Sequence, residues 1–116
     1  MEAEIELLLG RIVENIDVKD EEIVFWCNNN RVFRMFHQQD CCETVMVEDI
    51  VGDINDLIGS PIVLAEERSQ KNPQPSRDDS ETWTFYEIGS AKGTVTIRWF
   101  GSSNGYYSES VSFAEV

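Results

Sequence analysis

The chain has 116 residues, 41% of them hydrophobic and 27% charged, and 22 acidic against nine basic side chains give a formal charge of −13. That mixture is too apolar for a disordered chain and suits one globular domain over residues 1–116. Direct nucleic-acid binding, which needs Lys and Arg to displace counterions, is set aside, as is a membrane helix, because no apolar run approaches ~20 residues.

The opening Met1-Glu2-Ala3-Glu4 lacks the basic segment of a secretory signal. Three cysteines, Cys27, Cys41 and Cys42, are an odd number, unsuited to a disulfide scaffold. Bridging the adjacent Cys41 and Cys42 would strain the chain, so three reduced thiols in a cytoplasmic protein are expected.

In chain order, residues 2–9 (EAEIELLL) suit a helical turn or an edge strand. The apolar run Ile23-Val24-Phe25-Trp26-Cys27 predicts a strand covered on both faces. Asn28-Asn29-Asn30 tolerates a left-handed turn, so residues 22–37 form a hairpin with Phe33, Met35 and His37 on one face. A short strand follows at 44–47, then a helix of one or two turns capped by Asp53 and ended by Gly59 and Pro61. Residues 61–65 open another strand, and residues 66–81 (EERSQKNPQPSRDDSE) read as a solvated, mobile loop.

Alternation in 82–86 and 94–99, bracketing Gly89 and Gly93, predicts a second hairpin spanning 82–100. Phe25, Trp83, Phe85, Ile97 and Trp99 are expected in the core. Asn104-Gly105 signals one more hairpin, with Tyr107, Val111 and Phe113 on a closing strand. Together these elements predict an α+β fold, mostly antiparallel β, of seven or eight short strands and one short helix.

Three stretches could carry chemistry. His37-Gln38-Gln39-Asp40-Cys41-Cys42-Glu43 holds several metal-ligand types but no second ligand pair at tetrahedral spacing, so neither metal nor cofactor is expected. A Cys–His nucleophile pair needs a geometry that this turn does not specify. The plainer alternative has His37 ending a strand while Asp40 and Glu43 terminate the turn. Between Arg34 and Arg68 there is no Lys or Arg, and acids such as Asp49, Asp53 and Asp56 accumulate. They form a solvated face or an imitation of a phosphate backbone; a calcium loop would need a glycine and a closing glutamate that are missing. The third stretch joins Arg98, Ser102, Ser103, Asn104, Tyr106 and Tyr107, combining hydroxyls and rings with one cation. A base could stack on such a ring, and Arg98 could meet a phosphate.

Several blocks carry a resemblance: Asp40-Cys41-Cys42-Glu43; Glu48-Asp49-Ile50-Val51-Gly52-Asp53 with Asp56-Leu57-Ile58-Gly59-Ser60-Pro61-Ile62; Trp83-Thr84-Phe85-Tyr86; Gly93-Thr94-Val95-Thr96-Ile97-Arg98-Trp99; and Gly101-Ser102-Ser103-Asn104-Gly105-Tyr106-Tyr107-Ser108-Glu109. Over roughly residues 20–115 the chain resembles an uncharacterised family of small proteins encoded mainly by bacteriophages and prophages. The resemblance brings no activity and no catalytic residues. It implies an accessory protein in the cytoplasm of a bacterial host, where such proteins sequester a nucleotide signal or block a host enzyme.

The leading expectation is a non-enzymatic small-molecule-binding protein that sequesters a nucleotide-type defence signal. Tyr106 or Tyr107 would stack, Arg98 would pair with phosphate, and Ser102, Ser103 and Asn104 would hydrogen-bond. His37, Asp40, Cys41 and Glu43 would lie beside them. The alternative is an acidic protein–protein inhibitor of a host enzyme, using residues 40–56; the third reading is a metal- or thiol-dependent hydrolase centred on His37 and Cys41. Either binding mode leaves a homo-oligomer open.

Overall fold

Period-two alternation dominates the chain, and the computed structural model, which describes residues 4–72 and 80–116, shows eight strands among them in two antiparallel sheets. The first sheet has the order β1 (Val13–Val18), β2 (Glu22–Cys27), β3 (Val32–Phe36) and β8 (Ser112–Glu115). The second has the order β4 (Thr44–Val51), β7 (Gly93–Ser103), β6 (Ser80–Ser90) and β5 (Ile62–Lys71). Side chains from both sheets meet in one core, with Phe25, Phe33 and Met35 on one side and Tyr86, Ile97 and Trp99 on the other. The Trp99 indole N–H donates to Met35 Sδ across the layers at 3.1 Å.

The α+β assignment is corrected to all-β. Among the described residues the helical segments are 3-10 turns, and the predicted helix is the turn Ile54–Leu57, where the Asp53 carboxylate accepts the Asn55 N–H at 3.0 Å. The cap was read correctly, but one turn fixes several dihedrals for a single hydrogen bond and does not propagate before the chain turns at Gly59, whose φ is +89°.

The predicted loop at 66–81 is also corrected. β5 continues to Lys71 and β6 starts at Ser80, with Arg68 opposite Phe85 and Gln70 opposite Trp83. Strand pairing uses backbone donors and acceptors, so a polar sequence can extend a sheet, and charged side chains suit the edge that β5 occupies. The rest of that loop, 73–79, lies outside the described residues.

Both predicted hairpins are present. Phe25 pairs with Phe33 in the first, and Asn29 and Asn30 take φ of 62° and 58° at its turn. In the second, each inward residue of β7 stands opposite an inward residue of β6: Thr84 faces Trp99, Tyr86 faces Ile97, and Ile88 faces Val95. Parity then turns Trp83 and Phe85 outward, where they are half-buried rather than core, and Trp83 packs on Phe100 at 5.1 Å. β2 is likewise covered on one face only, since Trp26 is exposed. Asn104-Gly105 does not make a hairpin, because β8 pairs with β3 in the opposite sheet, so residues 104–111 cross between the layers and Tyr107 and Val111 precede the closing strand.

Candidate functional site

The long strands of the second sheet outrun the first. β6 and β7 have 11 residues each, against four to six in β1, β2, β3 and β8. Along the inner face of β6 the side chains change from Ile88 and Tyr86 to Thr84, Thr82 and Ser80. That hydroxyl row lies where the crossover 104–111 covers the sheet, and the two enclose a cleft of about 410 Å³.

Glu109 is carried into this cleft by the crossover and is 9% exposed. Its close approach depends on Gly101, where a Cβ would stand 2.9 Å from both the Glu109 backbone oxygen and its Cβ. Thr82 donates to one carboxylate oxygen of Glu109 at 2.7 Å, and Ser103 donates to the other. Ser103 Oγ also accepts the Gly105 N–H at 3.0 Å, fixing the start of the crossover. On the opposite wall Glu67 accepts the Tyr86 phenol, whose pKa is raised by burial and then by that bond. Lys71 and Tyr107 complete the mouth.

A second hollow of about 340 Å³ shares Ser108 and Ser110 with the cleft and contains His37, Asp40 and Glu43. The His37 and Glu43 side chains are 4% and 0% exposed, with Nε2 and Oε2 2.7 Å apart. His37 Nδ1 lies 2.7 Å from the Ser110 carbonyl. Both ring nitrogens are thus engaged with protein oxygens, and neither faces open space where a substrate would sit. Glu43 also accepts the backbone N–H groups of Asp40 and Cys41, each at 2.9 Å. The His37 bond, aided by these amides against the opposing effect of burial, lowers the Glu43 pKa to about 2.

The same clamp corrects the thiol expectation. Cys41 and Cys42 are joined as a disulfide, and Cys27 is the free cysteine among the described residues. Glu43 gathers the amides of residues 40 and 41 and holds a turn in which neighbouring sulfurs meet, a restraint absent from local geometry alone. Cys27 is buried, and burial pushes its thiol pKa up.

The sequence-predicted ligand residues are divided by the sheet. Tyr107 lines the cleft and Ser103 supports it by donating to Glu109, while His37, Asp40 and Glu43 belong to the adjoining hollow. Cys41 is exposed in the disulfide turn, Ser102 is half-buried beside Thr44 and Glu81, and Asn104 accepts the Tyr106 N–H at 3.0 Å. Tyr106 is 89% exposed and lines neither hollow. Arg98 sits with Phe85 on the outer face, its Nε 2.7 Å from Glu48 and its Nη2 3.8 Å from Asp49. Two acids of the 40–56 stretch are therefore paired with Arg98 and a third, Glu43, is buried against His37. Among the described residues no cluster of three acids, histidines or cysteines could hold a metal, and no helix is long and apolar enough to cross a membrane.

Sequence reasoning missed Thr82, Thr84, Glu67, Lys71 and Glu109. The alternation Thr82-Trp83-Thr84-Phe85-Tyr86 contains the signal, but hydrophobicity alone turns its aromatics inward. Glu109 ends one of the blocks that carry the resemblance, but its place in the cleft depends on the crossover between sheets.

No curated protein and no solved structure matches the chain. A family model described as Domain of unknown function (DUF7448) matches residues 6–113, nearly the whole length, and the chain belongs to that family.

Proposed function

We propose that this is a non-enzymatic small-molecule-binding protein whose ligand occupies the cleft between the β5–β6 pair and the 104–111 crossover. The observation that carries the reading is a row of hydroxyls on the inner face of β6, where a two-sheet core would be apolar, opening on about 410 Å³ of space. That volume is within the roughly 300–1,000 Å³ of small-molecule sites. The engaged nitrogens of His37 favour binding over hydrolysis, because general-base catalysis needs an open one. The resemblance to bacteriophage and prophage proteins supports a setting in a bacterial host, where the ligand is a small signal withdrawn from circulation.

Within this reading Tyr107 supplies the stacking face, and Lys71 replaces Arg98 as the cation at the site. Thermal-shift and native mass spectrometry against a panel of nucleosides, nucleotides and sugars tests it. A stabilising ligand should bind about 5- to 150-fold more weakly to Tyr107→Ala, since a stacked ring contributes about 1–3 kcal/mol. Arg98→Ala should leave binding unchanged. Loss of binding in Arg98→Ala with retention in a folded Tyr107→Ala variant would move the site to the outer face.

A further inference from the structure

We infer that the cleft recognises the vicinal diol of an uncharged sugar ring, gripped by the Glu109 carboxylate and the Thr84 hydroxyl. The inference rests on the cleft being a small-molecule site and assigns that site its ligand chemistry.

Four serine and threonine side chains are buried among the described residues: Thr82, Thr84, Ser90 and Ser103. Three have partners. Thr82 and Ser103 donate to Glu109, and Ser90 donates to the Asp56 carbonyl. Thr84 is 4% exposed and lines the cleft, and its side-chain hydroxyl makes no hydrogen bond among the described residues. Its oxygen is reached from the cleft, so the hydroxyl stands as a free donor and acceptor for whatever occupies that space. A ligand hydroxyl answers it on both counts, because each hydroxyl both donates and accepts.

Glu109 is half-satisfied in the same sense. Each carboxylate oxygen accepts one hydroxyl, from Thr82 or from Ser103, and keeps further acceptor capacity. Two adjacent hydroxyls of a sugar match two adjacent oxygens of a carboxylate, and bonds to an ionised acceptor are the stronger kind. Tyr107, on the same crossover as Glu109, offers an aromatic surface to the apolar face of the ring. Charge selects against phosphates: Glu67 and Glu109 outnumber Lys71 in the lining, and the whole chain carries −13.

A diol can come from a free sugar or from the ribose of a nucleoside, so the experiment uses both. Amide spectra of the ¹⁵N-labelled protein are followed during titration with adenosine, 2′-deoxyadenosine, methyl α-mannoside and spermidine. Adenosine, methyl α-mannoside or both should shift the Thr84, Ser103 and Glu109 amides. For a responding nucleoside, removing the 2′-hydroxyl should weaken binding about tenfold or more. Thr84→Val should weaken either diol similarly, while Thr84→Ser, which keeps the hydroxyl and guards against a folding defect, should retain binding. Equal affinity for adenosine and its 2′-deoxy form, with no response to the mannoside, would overturn the diol. So would a response to spermidine alone, although the cleft would then stand as a binding site. If no probe moves those amides, both the diol and the cleft reading fail.

Discussion

The Glu109 carboxylate gives the sharpest test of how the cleft is built. It is 9% exposed and receives one hydroxyl on each oxygen, from Thr82 and from Ser103. Thr82→Val preserves shape while removing one donor, and Ser103→Ala removes the other. A hydrogen bond to a charged group contributes about 1.5–3 kcal/mol, so each single variant should lose stability of that order. Together they should lose more than the sum of the two, by about 1–3 kcal/mol, because the second loss strands a buried charge rather than merely weakening its support. The sign of a third change then reverses. Glu109→Leu alone should destabilise the native chain, leaving two buried hydroxyls without their acceptor, but should restore stability in the double variant, where it removes an unsupported carboxylate. Urea denaturation, with the slope checked for constancy, measures all five variants. Additivity within about 0.5 kcal/mol, with no rescue by leucine, would refute the reasoning and mean that water in the cleft already solvates Glu109.

Three further outcomes follow from the geometry. Glu43, held at about 2 chiefly by His37 and assisted by the amides of residues 40, 41 and 43, has a folded pKa below its ordinary 4.5. Its stabilisation is complete above pH 4.5 and is lost as pH falls through about 2, so Glu43→Gln should flatten the dependence of melting temperature on pH across that window, and an unchanged slope would count against the clamp. Trp99→Ala should cost about 3–5 kcal/mol, a large part of the roughly 5–15 kcal/mol of a typical domain, as read by the urea midpoint. Thiol titration of the denatured, unreduced protein should find Cys27 reactive and Cys41 and Cys42 silent until a dithiol is added; three reactive thiols before addition would contradict the bridge.

The strands were legible because their cause is local. Asn28-Asn29-Asn30 selects a left-handed turn whatever lies around it, and the flanking alternation then sets the β2–β3 register. The β6–β7 hairpin could be read for the same reason. Inward and outward faces were harder, since alternation fixes only that neighbours face opposite ways. For β6 the choice depends on its partner: Trp99 reaches Met35 across the core, Thr84 lies opposite Trp99, and Trp83 must then face out. Local hydrophobicity favours the reverse assignment, and the tertiary register overrides it.

The same dependence explains why the candidate site was seen only in fragments. Ser103 and Tyr107 stand out by composition, and proximity in sequence groups Arg98 with them. Five residues along a strand reverse the face, so Arg98 points away from Ser103 and spends its charge on Glu48 and Asp49. What replaces it comes from elsewhere in the chain: Lys71 and Glu67 from a segment read as loop, Thr82 and Thr84 from a strand read with the wrong face inward, and Glu109 from a turn read as a hairpin. Each of those three assignments is a statement about local conformation, and together they remove five residues from the cleft. A site assembled at the junction of two sheets is invisible to any window that contains only one of them. The polar row in β6 is the exception: hydroxyls facing a core in strict alternation with aromatics disagree with simple burial, and that disagreement points to the cleft as soon as the face is assigned.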